Sequence, residues 1–287
     1  MTDLNDFIVQ SMARPVPSEV HDIGQQILAR HPGALSIINY GSTLRAAPTQ
    51  DTLIDYYVVV ADQRDLAASA ILQMVGALIP PNVYFMETQF GGNLYRSKYA
   101  VVTLDTLRRQ VSSGTGNPYF WARFAQPSVM VYARDDNIRQ QVFGIVAQAM
   151  TTAYGYAMSL SPTGDAIMQW QALFSETYKT ELRPEGPGRA SAIVESDTRY
   201  YKHVSELLKD VPRLTQSWPL ARLWGKVLTV CRLSKAAFTF AGGVDYVVWK
   251  IQRHSGERIE LTPRQRRHPL LTGICLLPRL LFRGTVR

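Results

Sequence analysis

The stretches Ile38-Asn39-Tyr40-Gly41-Ser42 and Leu53-Ile54-Asp55-Tyr56-Tyr57-Val58-Val59-Val60 decide the fold of this chain. Both are rich in Ile, Val and Tyr, residues that favour β-strands, and a polar loop joins them. The first stretch ends in Gly-Ser, and the second carries a carboxylate inside its apolar run. We therefore expect two neighbouring strands that bring Gly41, Ser42 and Asp55 close together.

These three residues suit the binding of a phosphorylated ligand. A glycine lets the backbone approach phosphate oxygens closely, and the Ser42 hydroxyl and nearby N–H groups can donate to them. A carboxylate at Asp55 suits a Mg²⁺ ion that bridges phosphates. Nucleotidyltransferases hold a nucleoside triphosphate in this way. Gly-Ser is also a common turn and Asp55 could simply face solvent, but an unpaired carboxylate is costly if this apolar run is buried.

Composition describes a folded protein without disulfide or zinc frameworks. The 287 residues are 46% hydrophobic and 19% charged, enough for one large or two small domains. The two cysteines, Cys231 and Cys275, lie far apart and form no metal-ligand spacing. No Ser/His/Asp or Cys/His arrangement stands out, which agrees with chemistry that needs no protein nucleophile.

The positive charge is concentrated at the C-terminal end. Of the net charge of +8, residues 251–287 hold +6, with eight arginines against two glutamates. Within them, 269–282 is an apolar stretch too short to span a bilayer. We expect this tail to lie at an anionic membrane surface; the alternative is a tail packed on the body. The nearly neutral body argues against nucleic acid as the partner.

The N-terminus carries neither a secretory signal nor an arginine-rich transit peptide, and no run of about 20 apolar residues predicts a membrane span. Together with the tail, this predicts a peripheral membrane protein. The expected place is the cytoplasmic face in a bacterium, or the matrix side of the mitochondrial inner membrane in a eukaryote.

Periodicity and turn residues predict an α+β fold. Strands are expected at Leu35–Tyr40, Leu53–Val60, Val83–Phe90, Leu94–Leu104 and Ser128–Tyr132. Helices are expected from Ser18, as N-cap, to Arg30, and at Asp65–Leu78, Asp105–Ser112, Asn137–Leu160, Tyr200–Lys209 and Pro219–Val248. The predicted organisation is a nucleotidyltransferase-type mixed-sheet domain at 1–136, a mainly helical domain at 137–250 that completes the site, and the tail at 251–287.

Six short motifs together resemble one family, the mitochondrial-type phosphatidate cytidylyltransferases, or translocator assembly and maintenance proteins. In chain order they are Tyr40-Gly41-Ser42, Leu53-Ile54-Asp55-Tyr56, Lys98-Tyr99-Ala100-Val101-Val102, Tyr119–Phe124 with Gln126–Val129, Tyr178–Arg183, and Ser234-Lys235 before Ala236–Gly242. They cover about residues 36–245. The chain departs from the family pattern at Thr43 and Ala100, where the family has Gly, at Gln126, where it has Lys, and at Glu181, where it has Asp.

The resemblance implies an enzyme that joins CTP to phosphatidic acid, giving CDP-diacylglycerol and pyrophosphate, with Mg²⁺. It implies that Tyr40, Gly41, Ser42 and Arg183 bind the nucleotide, and that Asp55, Lys98 and Lys235 are catalytic. Asp55 and Glu181 are the expected metal ligands, although the usual second carboxylate two residues from Asp55 is absent.

Two other hypotheses stay open on the sequence. One is a nucleotidyltransferase with another acceptor, such as a tRNA end, a drug or a protein. The other is a non-catalytic lipid- or nucleic-acid-binding protein that keeps the fold, a hypothesis that the missing second carboxylate favours.

Overall fold

A five-stranded mixed sheet with helices on both faces forms the first half of the molecule. The computed structural model describes residues 2–49, 52–65, 70–182 and 188–239. Within them the strands are β1 Ala34–Tyr40, β2 Leu53–Val60, β3 Asn82–Phe90, β4 Asn93–Thr103 and β5 Ser128–Ala133. The strand order is β3-β4-β2-β1-β5, with β2 and β4 parallel and the other pairs antiparallel. The predicted α+β class is confirmed.

Ten α-helices lie in the described ranges. They are α1 Thr2–Met12, α2 Ser18–Arg30, α3 Ala70–Leu78, α4 Leu104–Gln110, α5 Trp121–Phe124, α6 Asp136–Leu160, α7 Ala166–Lys179, α8 Arg189–Glu195, α9 Thr198–Leu207 and α10 Trp218–Thr239. The first of these, α1, has no counterpart among the predicted helices.

Side chains alternate between two cores, one on each face of the sheet. On one face, Val20, Ile23 and Ile27 of α2 pack against the sheet, and the Tyr56 hydroxyl donates to the carbonyl oxygen of Val20 at 2.7 Å. On the other face, Tyr57 belongs to a larger core built with α1, α5, α6, α7 and α9. Because period-two alternation separates neighbours on a strand, Asp55 shares the second face with Tyr57.

The larger core crosses the predicted boundary at residue 136. The helix α6 begins there with Asp135 as its N-cap, which accepts from the Ile138 N–H. The N-terminal α1 nevertheless packs against α6 and α9. The division into separate domains remains a prediction, and the tail at 251–287 lies outside the described residues.

Two local expectations are wrong. Ser18 is not the N-cap of α2: Pro17 holds that position, and the Ser18 hydroxyl donates to Glu19 instead. Asp65 does not belong to α3 but to a separate 3₁₀ turn at Gln63–Asp65. In that turn its carboxylate accepts from the Asp62 N–H at 3.2 Å, a local contact that favours a turn over a helix start.

Candidate functional site

Gly41 turns the chain sharply at the end of β1. Its φ of 93° and ψ of −144° fall in a region that essentially only glycine adopts. A Cβ placed on Gly41 would lie 3.4 Å from Oδ2 of Asp55. The loop and the carboxylate are therefore direct neighbours, and a 3₁₀ turn at Ser42–Leu44 follows with the Ser42 side chain exposed.

Asp55 is paired with a lysine on the adjacent strand. In the parallel register of β2 and β4, Asp55 lies beside Lys98, and Nζ is 2.8 Å from Oδ1. This is an ion pair without hydrogen-bond alignment, because Oδ1 is buried and accepts no hydrogen bond of good geometry. The two side chains remain 21% and 28% exposed, so a ligand could reach both.

A buried amide positions the loop and the carboxylate together. The Asn39 side chain donates from Nδ2 to the backbone carbonyl of Asp55 at 3.1 Å and accepts from the Thr43 hydroxyl at 3.1 Å. Asn39 is fully buried and Thr43 almost so. The hydroxyl at Thr43, where the resembled family has Gly, thus stabilises the same loop by a hydrogen bond.

Tyr40 interacts electrostatically with both the Asp55–Lys98 pair and a second charged cluster. Its ring packs on Tyr57 with centroids 5.1 Å apart. Burial, and next the Asp55 carboxylate, raise the pKa of Tyr40 well above its usual range, so its phenol stays protonated. The same phenol is electrostatically coupled to Arg123.

The second cluster is built around Arg123. Its guanidinium donates through both terminal nitrogens to the two oxygens of Glu181, at 3.0 Å each, and also to the Tyr119 carbonyl at 2.7 Å. The carbon Cζ of Arg123 lies 3.8 Å from the Tyr119 ring centroid, and Cζ of Arg232 lies 3.7 Å from it. Two guanidinium groups at that distance need opposite faces of the ring, so Tyr119 is held between them.

Lys235 is buried at a different place. Its ammonium donates to the backbone carbonyls of Ile79 and, at 2.8 Å, of Pro81, while Arg232 donates to Pro80 at 2.8 Å. Burial, and second the Arg232 charge, lower the pKa of Lys235 to about 7. These contacts join α10 to the connection between α3 and β3.

The structure brings five of the eight predicted residues to one point, the edge where β1 and β2 meet the Gly41 loop. They are Tyr40, Gly41, Ser42, Asp55 and Lys98. Glu181 lies in the neighbouring cluster, where it pairs with Arg123. Lys235 donates to the backbone carbonyls of Ile79 and Pro81, away from this point. Arg183 is outside the described residues. Their assigned roles remain predictions.

Sequence reasoning missed the positioning residues. Asn39 stands inside the quoted motif but received no role, because the need for a buried amide appears only when β1 and β2 pair. Arg232 received no role either, because its partners Tyr119 and Pro80 are more than 100 residues away in sequence.

A magnesium ion fits this site through one protein carboxylate. Mg²⁺ at nucleotide sites is often held by one or two carboxylates together with substrate phosphates. Asp55 could supply that carboxylate, but its Oδ1 lies 2.8 Å from Lys98 Nζ, so an ion at this oxygen would have to replace the lysine contact. Ligation by Glu181 would require its ion pair with Arg123 to open. Among the described residues, no three His, Cys, Asp or Glu side chains converge into a complete metal site.

Comparisons with known proteins give little further guidance. No family model and no curated protein matches the chain. A solved structure that it resembles is a nucleotidyltransferase-like protein from Exiguobacterium sibiricum 255-15, at 11% identity and a TM-score of 0.28, with 92% of this chain and 91% of the other covered. At that level the likeness carries no functional conclusion. In the described part of the chain, no helix has the length and apolar character needed to cross a bilayer.

Proposed function

We propose that this protein is a nucleotidyltransferase that joins CTP to phosphatidic acid, releasing pyrophosphate and forming CDP-diacylglycerol. The observation that carries the proposal is the position of Asp55 directly beside the Gly41 turn, with Lys98 next to it on the parallel strand. The choice of CTP and of a lipid acceptor rests on the six motifs of the sequence.

In the proposed reaction, an ionised phosphate oxygen of the lipid attacks the α-phosphorus of CTP. The bond from that phosphorus to the oxygen bridging the β-phosphate breaks, and pyrophosphate leaves with the electron pair. The acceptor is already ionised at neutral pH, so no protein nucleophile is required. Bound Mg²⁺ would neutralise phosphate charge.

Within that reaction, the chain mainly positions groups and supplies positive charge. The Gly41 backbone lets phosphates approach closely, and Ser42 adds a hydroxyl donor. Lys98 offsets negative charge next to Asp55, the carboxylate proposed to hold the metal. Arg183 and Lys235 are further proposed phosphate contacts; Lys235 would first have to leave its carbonyl partners.

A surface feature of α10 supports a lipid acceptor. Its outward face carries large apolar side chains that recur every three or four residues, with one adjacent pair; they are Leu220, Leu223, Trp224, Val227 and Val230, all exposed. Its buried face carries Ala221, Arg232 and Lys235 instead. The helix has no acidic residue; of its four basic residues, Arg232 and Lys235 are buried and Arg222 pairs with Glu176, while Lys226 is exposed. An exposed apolar stripe with a Trp and a neighbouring lysine suits the interface of an anionic membrane.

The first test is pyrophosphate release by purified protein with CTP, phosphatidic acid in detergent micelles and Mg²⁺. We expect CTP-selective, lipid-dependent release that Asp55→Asn lowers by at least about a hundredfold, as for loss of a main charged group of a site. The matched control is Asp136→Asn, at an exposed helix terminus, which should keep full activity. Release with CTP but without need of lipid would indicate another acceptor; no release with any nucleotide would refute the proposal.

The membrane part has its own test. Deleting 262–287, or replacing Leu223 and Trp224 by Glu, should each weaken partition to vesicles that contain phosphatidic acid, while CTP binding is kept. The control replaces the exposed Met168 by Glu on α7. Unchanged partition of both variants would contradict a peripheral membrane role.

A further inference from the structure

A small enclosed cavity adjoins the Gly41 loop on the side away from Lys98. Its volume is about 140 Å³, and it is lined by the loop, by the start of β5 and by the α8–α9 junction. The lining includes Gly41, Arg45, Pro127 and Tyr201, and one acidic residue, Asp197, whose carboxylate accepts from the Tyr200 N–H as the N-cap of α9. Of the five residues gathered at the candidate site, Gly41 alone lines this cavity.

The strand order fixes the position of this cavity. At the level of Gly41, β2 with Asp55 lies on one side of β1, and β5 lies on the other, with Ser128 beside Tyr40. The cavity touches Gln126 and Pro127, the residues just before Ser128. Gly41 therefore stands between the Asp55 carboxylate and the cavity, and a ligand lying across the loop could reach both.

A buried hydroxyl at the cavity has no partner. Tyr201 is fully buried, its ring packs against Trp170, Phe174 and Tyr200, and its hydroxyl makes no hydrogen bond. Buried polar groups in native proteins are almost always satisfied, so an orphan of this kind needs an explanation. Burial raises the pKa of Tyr201, so the hydroxyl is a proton donor that awaits an acceptor.

Arg45 and Asp197 bring one charge of each sign to the cavity lining. Desolvation, and second the nearby Arg189 guanidinium, lower the pKa of Arg45, although the residue as a whole remains exposed. Arg45 and Tyr201 both line the cavity, and the two groups interact electrostatically. An anion in the cavity would offset the charge of Arg45 and its repulsion by Arg189, in competition with the Asp197 carboxylate.

We propose that this cavity is a diphosphate subsite, in which Arg45 and the Tyr201 hydroxyl bind the β- and γ-phosphates of the nucleotide and then the pyrophosphate that leaves. The assignment rests on the proposed nucleotidyl transfer, and it adds two residues that the motifs do not contain. The donors are a guanidinium and a phenol, both of which suit phosphate oxygens.

The shape of the site favours a diphosphate over the other parts of the substrates. With the α-phosphate at Asp55, the chain of phosphates would extend over Gly41, whose missing side chain leaves room for it. A lipid phosphate carries acyl chains, which an enclosed polar cavity does not accommodate. The phosphate monoester of the acceptor is therefore expected to bind elsewhere.

The test measures binding of inorganic pyrophosphate to the full chain by calorimetry, with Mg²⁺ present. Tyr201→Phe keeps the ring packing, so its stability without ligand should equal or exceed that of the wild type. Its affinity for pyrophosphate should fall about tenfold or more, the usual effect of one hydrogen bond to a charged group. Arg45→Gln should give a loss of the same order. The control is Arg199→Gln, an exposed arginine on α9 outside this cavity.

Each outcome bears on one proposal. The subsite proposal would be overturned if Tyr201→Phe and Arg45→Gln left the affinity for pyrophosphate unchanged. It would also be overturned if the wild type bound no pyrophosphate. Displacement of pyrophosphate by a short-chain phosphatidic acid at equal concentration would overturn it as well, and would assign the cavity to the lipid phosphate. If both variants weaken pyrophosphate binding but the wild type shows no turnover that depends on CTP and lipid, the subsite is supported and the proposed reaction is refuted.

Discussion

At the scale of single residues, the site depends on a few buried hydrogen bonds that hold its strand and its loop together. Asn39 links the Asp55 backbone to the Thr43 hydroxyl, and so ties the carboxylate strand to the Gly41 loop. An unsatisfied buried amide costs more than an average hydrogen bond contributes, so both contacts matter for stability.

Removing the Thr43 hydroxyl tests this link. Thr43→Val keeps the shape but leaves Oδ1 of Asn39 without its donor, and we expect a loss of about 1–3 kcal/mol in the free energy of unfolding. Thr43→Ser keeps the hydroxyl and should lose much less. Urea unfolding at neutral pH measures both; a loss for Thr43→Ser with none for Thr43→Val would mean that the methyl group, and not the hydrogen bond, is what stabilises the loop.

At the scale of elements, α10 is placed by close backbone contact. Gly225 of α10 is buried against the end of α7, and a Cβ there would overlap the carbonyl oxygen of Thr180. The adjoining residue, Glu181, is the partner of Arg123. The position of α10 and the charged cluster at Tyr119 are therefore coupled through one short segment.

Two glycine-to-alanine variants separate packing from helix propensity. Gly225→Ala should destabilise the protein by about 1–3 kcal/mol, because the backbone of Thr180 must move. Gly144→Ala in α6 meets nothing within 4 Å and should stabilise by about 0.5–1 kcal/mol, as alanine favours a helix. Thermal unfolding of both variants provides the measurement, and a stabilised Gly225→Ala protein would show that α10 does not lie so close to α7.

At the scale of the whole molecule, the sheet separates two cores, and positive charge is buried at the junction of α10 with the sheet. Arg232 and Lys235 are both less than a tenth exposed. Their donation to carbonyls between α3 and β3 connects the last described helix to the sheet edge.

The lowered pKa of Lys235 predicts how stability depends on pH. The folded group loses its proton near pH 7, whereas the unfolded one keeps it to about 10.5. Between these values the unfolded chain binds the extra proton, so raising the pH favours the folded state, by at most about 1.4 kcal/mol per pH unit. Below pH 7 the two states bind equally and this contribution is flat.

Comparison with Lys235→Met isolates that contribution. The difference in unfolding free energy between wild type and variant should change in favour of the wild type from pH 7 to pH 9.5, and should stay constant from pH 5.5 to 6.5. Urea unfolding across this range is the measurement. Parallel pH profiles would show that Lys235 keeps its proton in the folded protein.

The sequence by itself determined the strands, the mixed class of the fold and the proximity of Gly41 to Asp55. Those features depend on local strand propensity, on the alternation of apolar residues, and on a backbone conformation at Gly41 that only glycine readily adopts. Each of them is determined by residues that are neighbours in the sequence. It did not reveal α1, nor the hydrogen bonds by which Asn39 links Asp55 to Thr43. Only the tertiary structure decided that Glu181 pairs with Arg123, that Lys235 donates to backbone carbonyls, and that Tyr201 lines a cavity beside Gly41. Such contacts join residues that are far apart in the chain, and packing of the whole core selects them.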